Sequence, residues 1–128
     1  MASIIVVSGP NEGDYYPLGT RTMVAGRDAA CPIQILDELV SRKHLRISFE
    51  QTDNRYHAMD MKSANGVLVN GRQLEQETVL EDGDMLEIGN STLMFTTKDF
   101  PDRQSAMAHY HKQGERGKST LIRLKDRR

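Results

Sequence analysis

Apolar residues in the first hundred positions come in short bursts, and several of those bursts alternate with polar residues. Leu45, Ile47 and Phe49 interleave with Arg46, Ser48 and Glu50, and Leu86 and Ile88 interleave with Met85 and Glu87. This is the two-residue period of a strand with one face against a core. On this basis ten strands are predicted: Ile4 to Val7, Tyr15 to Leu18, Thr22 to Ala25, Ile33 to Ile35, Leu45 to Phe49, Tyr56 to Met61, Val67 to Val69, Thr78 to Leu80, Met85 to Ile88 and Thr92 to Thr97. No stretch before residue 100 sustains helical spacing. Turn formers separate the strands: Gly9-Pro10-Asn11-Glu12-Gly13, Asn65-Gly66, Asn70-Gly71, Asp82-Gly83-Asp84 and Gly89-Asn90. Many short strands joined this way predict a β-sandwich or barrel. Met59, Met61, Met85, Met94 and Met107 read as core fillers.

The chain has 128 residues, the size of one domain with one core. No apolar run approaches the roughly 20 residues of a membrane span, so a membrane partner is set aside. The start, Met1-Ala2-Ser3, lacks the basic and extended apolar regions of a secretory leader. The single cysteine, Cys31, permits neither an internal disulfide nor a cysteine zinc cluster, which points to a reducing, cytoplasmic setting.

Charge divides the chain in two. Residues 102–128 hold eight basic and three acidic side chains, net +5, which leaves nine basic and fifteen acidic in residues 1–101, net −6, for a total of −1. The expected organisation is a sandwich domain over 1–98 and a basic C-terminal segment over 99–128. Asp102 could cap a helix running to about Gln113 with a weak apolar face, followed by a solvated tail from Ser119 to Arg128. A net charge near zero argues against nucleic acid as a partner, and Tyr110 is the only aromatic in residues 102–128.

Three loop clusters hold polar residues that the turns do not require: Gly26-Arg27, Ser41-Arg42-Lys43-His44 and Ser63-Ala64-Asn65-Gly66. Together they supply a guanidinium fork, a hydroxyl, further cations and backbone N–H groups, which are the parts of an oxyanion site. Taken singly, each reads as a solvated charge or a turn residue.

The spacing of the clusters, Gly26-Arg27, then Ser41-x-x-His44, then Asn65-Gly66, resembles the forkhead-associated (FHA) domain. The flanks agree: Leu36 to His44 looks like that family's entry into Ser-x-x-His, Gly66-Val67-Leu68-Val69-Asn70-Gly71 resembles its glycine, strand and Asn-Gly hairpin, and Leu80 to Gly89 resembles its closing hairpin. The resemblance covers roughly residues 3–97. It implies an all-β, eleven-stranded β-sandwich of the FHA/SMAD-like kind, with the termini at one end and a loop-built site at the other. It also implies a non-catalytic module, without cofactor or metal, that binds phosphothreonine in a partner protein or peptide, such as a Ser/Thr protein kinase or its substrates. Carried onto this chain, Arg27 and Ser41 would contact the phosphate, Arg42 would add a cation, and Asn65 would hold the ligand backbone. His44 would brace the loop from inside, and Gly26 and Gly66 would be permissive backbone positions.

Two positions depart from the family pattern. Ala64 stands where members often carry a Ser or Thr phosphate donor, and Val67 stands in place of the usual Thr. Lys43 or Ser63 could compensate as secondary contacts. The alternative reading is an FHA-fold scaffold with weakened or lost phosphate binding, acting through constitutive protein contacts or its basic tail.

Other chemistry fits less well. Ser41 and His44 with Asp37 or Asp60 lack a nucleophile elbow, and cations flank the serine. His109 and His111 diverge on a helix and have no ligand partners at metal spacing. In the tail, Thr120 follows basic residues and is a candidate regulatory phosphosite that could occupy the Arg27/Ser41 site in cis or in a neighbouring copy. A monomer is expected, with the tail as a route to self-association.

Overall fold

The structure, a computed structural model, describes residues 2–98 and 104–108. Eleven strands alternate with turns: β1 (Ser3–Ser8), β2 (Tyr15–Pro17), β3 (Met23–Gly26), β4 (Ile33–Gln34), β5 (Leu45–Glu50), β6 (Arg55–Asp60), β7 (Val67–Val69), β8 (Arg72–Gln73), β9 (Thr78–Val79), β10 (Met85–Ile88) and β11 (Ser91–Thr96). They form a six-stranded sheet in the order β2-β1-β11-β10-β7-β8 and a five-stranded sheet in the order β4-β3-β5-β6-β9. Every pairing is antiparallel except that of β3 with β4.

The two-residue alternation decides which side chains meet between the sheets. Leu45 and Ile47 of β5, Tyr56 and Ala58 of β6, Leu86 and Ile88 of β10 and Leu93 and Phe95 of β11 are all buried in one core. Burying each such large side chain stabilises the fold by about 1.5–3 kcal/mol. The ten predicted strands are all present to within about a residue at their ends. The added strand, β8, has both residues exposed and therefore no apolar signature. Turn chemistry creates it: Asn70 and Gly71 take φ of 51° and 84°, both left-handed, and fold Val69 back onto Arg72 in a two-residue hairpin.

Register sets the poles of the sandwich. Ser3 pairs with Thr96 at one end of the β1–β11 ladder and Ser8 with Thr92 at the other. The β3–β4, β4–β5, β6–β7 and β10–β11 connections gather at the Ser8 end, opposite the Ser3–Thr96 pair.

Beyond residue 98, residues 104–108 are helical. Ala106 is fully buried in a second apolar cluster with Ile5 and Met94, flanked by Val7, Tyr15, Met85 and Met107. These lie on the outer face of the six-stranded sheet, so the weak apolar face expected of this segment is enough to seat it. The remainder of the predicted 102–113 helix, with His109 and His111, and the tail with Thr120 lie outside the described residues. Of the five methionines read above as core fillers, Met94 is buried and Met85 and Met107 pack in this cluster, while the Met59 sulfur takes a contact from Arg46 at 3.5 Å. Among the described residues no helix is long and apolar enough to cross a membrane.

Candidate functional site

The β4–β5 connection, residues 35–44, has a set of internal ties that fix its path. Asp37 is buried, and its carboxylate accepts from Leu39 N (2.9 Å), Asn90 N (2.8 Å) and the Ser91 hydroxyl (2.8 Å). Burial raises the Asp37 pKa, but the hydrogen bonds from Leu39, Ser91 and Asn90 outweigh it and hold the carboxyl below its ordinary value. Leu36 N donates to Asn11 Oδ1 at 2.7 Å. The carboxylate thus fastens this connection to the β10–β11 hairpin, and Asn11 fastens it to the β1–β2 turn.

His44 closes the other end of the loop. It has no exposed surface, and its Nδ1 accepts the Ser41 N–H at 2.9 Å while its Nε2 lies 2.7 Å from the Gly66 carbonyl. Since Nδ1 is an acceptor here and a carbonyl only accepts, Nε2 carries the hydrogen and donates it. The imidazole therefore links the Ser41 turn to the β6–β7 loop across the two sheets.

Gly26, the last residue of β3, allows close approach. A Cβ there would collide with the Arg42 carbonyl and lie 3.0 Å from Cys31 Sγ. The Arg42 carbonyl in turn accepts from Asp28 N at 3.2 Å and from Cys31 Sγ at 3.1 Å. Burial, and then the charge of Asp28, raises the Cys31 thiol pKa and keeps it in the protonated donor form.

This framework brings the three polar clusters together. Arg27 N donates to Ser41 O and Arg27 Nε to Val40 O, both at 3.0 Å, so the guanidinium is held at one edge with its terminal nitrogens uncommitted among the described residues. Ser41 Oγ accepts from Ala64 N at 3.0 Å, which leaves the hydroxyl hydrogen free to donate. Asn65 Nδ2 donates to Leu39 O at 2.8 Å, which leaves Oδ1 and the second amide hydrogen available. Arg27, Arg42, Lys43, Ala64 and Asn65 are exposed, and Ser41 is half-buried. Among the described residues the Arg42 and Lys43 side chains take no hydrogen bond or ion pair. Ser63 acts within its own turn, where its N–H donates to Asp60 Oδ1 and its Oγ accepts from Gly66 N, both at 3.0 Å, shaping the entry into β7. Lys62 just before it takes a left-handed φ of 57°, and Gly66 one of 76°.

The same bonds show how Ser41, His44 and Asp37 are used. His44 meets the backbone N–H of Ser41 and not its hydroxyl, while Asp37 faces Leu39, Asn90 and Ser91, so the three do not form a proton relay. Among the described residues no group of three or more His, Cys, Asp or Glu could hold a metal ion.

Comparison with known proteins agrees with the geometry. The family model described as the FHA domain matches residues 23–89, the span from β3 to the end of the β10 hairpin strand. The chain belongs to the FHA-domain family. It is similar to the oxoglutarate dehydrogenase inhibitor of Corynebacterium jeikeium, with 36% identity over 94 residues that cover 73% of this chain and 63% of that protein. It is also similar to the glycogen accumulation regulator GarA of Mycobacterium tuberculosis, with 35% identity over 96 residues, 75% of this chain and 57% of that one. The FHA chain thus spans less than two thirds of the length of these curated relatives. Among solved structures, Mycobacterium tuberculosis EmbR in complex with a low-affinity phosphopeptide superposes with a TM-score of 0.68 at 27% identity, over 79% of this chain and 25% of that one. The family, and the regulatory names of its relatives, mark this FHA domain as a non-catalytic binding module.

Asn11, Val40, Cys31 and the anchoring role of Asp37 are the contributions that sequence reasoning passed over. Asp37 had a local signal, a carboxylate two residues before an amide it could cap. Its partners Asn90 and Ser91 lie more than fifty positions away, and no sequence pattern links them to it.

Proposed function

We propose that this FHA domain is a phosphothreonine-dependent protein-binding module in Ser/Thr kinase signalling. Arg27, Ser41 and Arg42 hold the phosphate, and Asn65 holds the ligand backbone. The observation that carries the reading is the pairing of restraint with spare capacity. Arg27, Ser41 and Asn65 each use one polar group to lock onto the β4–β5 and β6–β7 loops, and each keeps at least one donor unspent.

A phosphothreonine brings close to two negative charges and three acceptor oxygens, and each hydrogen bond between charged partners contributes about 1.5–3 kcal/mol. An unphosphorylated threonine forfeits those bonds. Preorganisation adds to the discrimination, because the donors are already immobilised before the ligand arrives. Ala64 fits this scheme through its backbone, whose N–H positions Ser41 Oγ whatever the side chain. The likeness to EmbR, whose solved complex holds a phosphopeptide, supports the same ligand class.

Calorimetric titration with matched phosphothreonine and threonine peptides tests the reading. The phosphorylated peptide is expected to bind at least a hundredfold tighter, and Arg27→Ala to remove about 2–5 kcal/mol of that affinity. Equal affinities for the two peptides, or an Arg27→Ala protein that binds as well as the parent, would refute it.

A further inference from the structure

The two sheets leave a gap along one side of the sandwich. There β2, an edge strand of the six-stranded sheet, meets the β3–β4 edge of the five-stranded one, and a cleft of about 310 Å³ lies between them. Its wall is made of Tyr16 and Pro17 of β2, Arg21 and Thr22 of the β2–β3 connection, Met23 of β3 and Pro32 just before β4. That volume is at the small end of the range for small-molecule sites.

The base of the cleft is apolar and fixed. Met23 is buried in the main core, and Tyr16 packs against that core. The Tyr16 hydroxyl donates to Asp14 Oδ2 at 3.1 Å, and burial, followed by the Asp14 charge, pushes the phenol up to about 12, so it stays neutral. The Asp14 carboxylate is thereby engaged, with Asn11 Nδ2 as a second donor at 3.2 Å. The rim has polar groups to spare. Arg21 and Thr22 are exposed, and among the described residues neither the guanidinium nor the hydroxyl takes a hydrogen bond or ion pair. The lips limit what can enter. Pro17 and Pro32 have no N–H, so neither edge can pair with an incoming strand at those positions.

We propose that this cleft binds a small carboxylic acid with a short aliphatic body, its carboxylate on Arg21 and Thr22 and its carbons against Met23, Tyr16 and the two prolines. Only Arg21 among the wall's side chains is charged, which sets the sign of the ligand. A guanidinium takes a carboxylate through two parallel N–H donors, and the hydroxyl can add a third. The apolar base asks for carbon and not for a second charge. The cleft is also separate from the phosphate loops. Met23 opens β3 and Gly26 ends it, so about 10 Å of strand lies between the cleft and Arg27, and the inference stands apart from the phosphothreonine reading.

The test titrates the isotope-labelled full chain with isocaproate at constant ionic strength and follows amide chemical shifts. Isocaproamide and acetate serve as controls for the charged head and the aliphatic body. Isocaproate is expected to shift Tyr16, Thr22 and Met23 saturably, with a Kd of about 1 mM, and to bind about tenfold tighter than either control. Arg21→Gln should bring acid and amide to equal affinity, and Thr22→Val should weaken the acid about threefold. Both side chains are exposed, and unchanged shifts in β5 and β6 would confirm that the variants fold. Absence of saturable shifts up to about 20 mM acid, equal binding of acid and amide by the parent, or a preference that persists in Arg21→Gln would overturn the site. So would shifts centred on Arg27, Ser41 and Asn65, which would assign the acid to the phosphate loops.

Discussion

The Asp37 carboxylate meets the Ser91 hydroxyl at 2.8 Å in the interior, across 54 positions of sequence. Asn90 N and Leu39 N complete its shell, so one buried side chain joins two loops at the pole of the sandwich. Asp37→Ala leaves these donors without their acceptor and is expected to destabilise the domain by about 3 kcal/mol, measured by urea denaturation. A loss under about 1 kcal/mol would mean that water replaces the carboxylate.

The same group gives the domain an acid sensitivity. Its folded pKa lies below the ordinary 3.8, so its ionised form stabilises the fold, and that contribution is complete above the unfolded value. It should be lost progressively as pH falls below about 3.8 and through the depressed folded pKa. Thermal unfolding of the parent and of Asp37→Asn between about pH 2 and 6 should converge toward the acid end. Parallel curves would exclude Asp37 as the source.

Gly26→Ala tests the close approach of strand and loop. The new methyl group would collide with the Arg42 carbonyl, which is backbone and cannot rotate away. A stability loss of about 1–3 kcal/mol is expected. Phosphopeptide affinity should fall with it, because the Arg42 backbone that the methyl displaces follows directly on Ser41. Full affinity in calorimetry, with an unchanged melting temperature, would contradict the crowding argument.

His44→Ala removes an acceptor from Ser41 N and a donor from Gly66 O in a fully buried setting. About 2–4 kcal/mol of stability should go with it. Amide exchange should rise at Ser41 and in the 61–66 loop before it rises in β5 or β6. Uniform acceleration across the domain would show that the imidazole supports the core and not the loops.

Ala64→Thr returns a hydroxyl to an exposed position whose N–H already bonds Ser41 Oγ. A single added hydrogen bond is worth about 1 kcal/mol, so phosphopeptide affinity should improve about fivefold with little change in stability. No gain in a titration would place residue 64 out of reach of the phosphate.

How far the sequence anticipates this structure depends on the distance between partners. Strands such as β5 and β10 are legible because alternation is written in adjacent residues, and the Asn70-Gly71 hairpin because its backbone demands are local. Arg27, Ser41 and Asn65 could be picked out only as a spaced set, since each alone is an ordinary loop residue. β8 escaped the apolar pattern because Arg72 and Gln73 both face water. Asp37 and Cys31 were hidden for a different reason. Their roles depend on Ser91, Asn90 and the Arg42 carbonyl, which only the assembled sandwich brings near. The seat of residues 104–108 was equally hard to read, because the outer sheet face that receives Ala106 is assembled from β1, β10 and β11.

The pairing of Ser3 with Thr96 has a mechanical meaning. Tension applied through the two chain ends would first peel the helical residues 104–108 from the sheet. It would then open the β1–β11 ladder one rung at a time from the Ser3 end, parting its hydrogen bonds in sequence and not all together. The recognition loops lie at the last rungs to part. A domain tethered this way would give way at its anchored end while its grip on a bound partner was still intact.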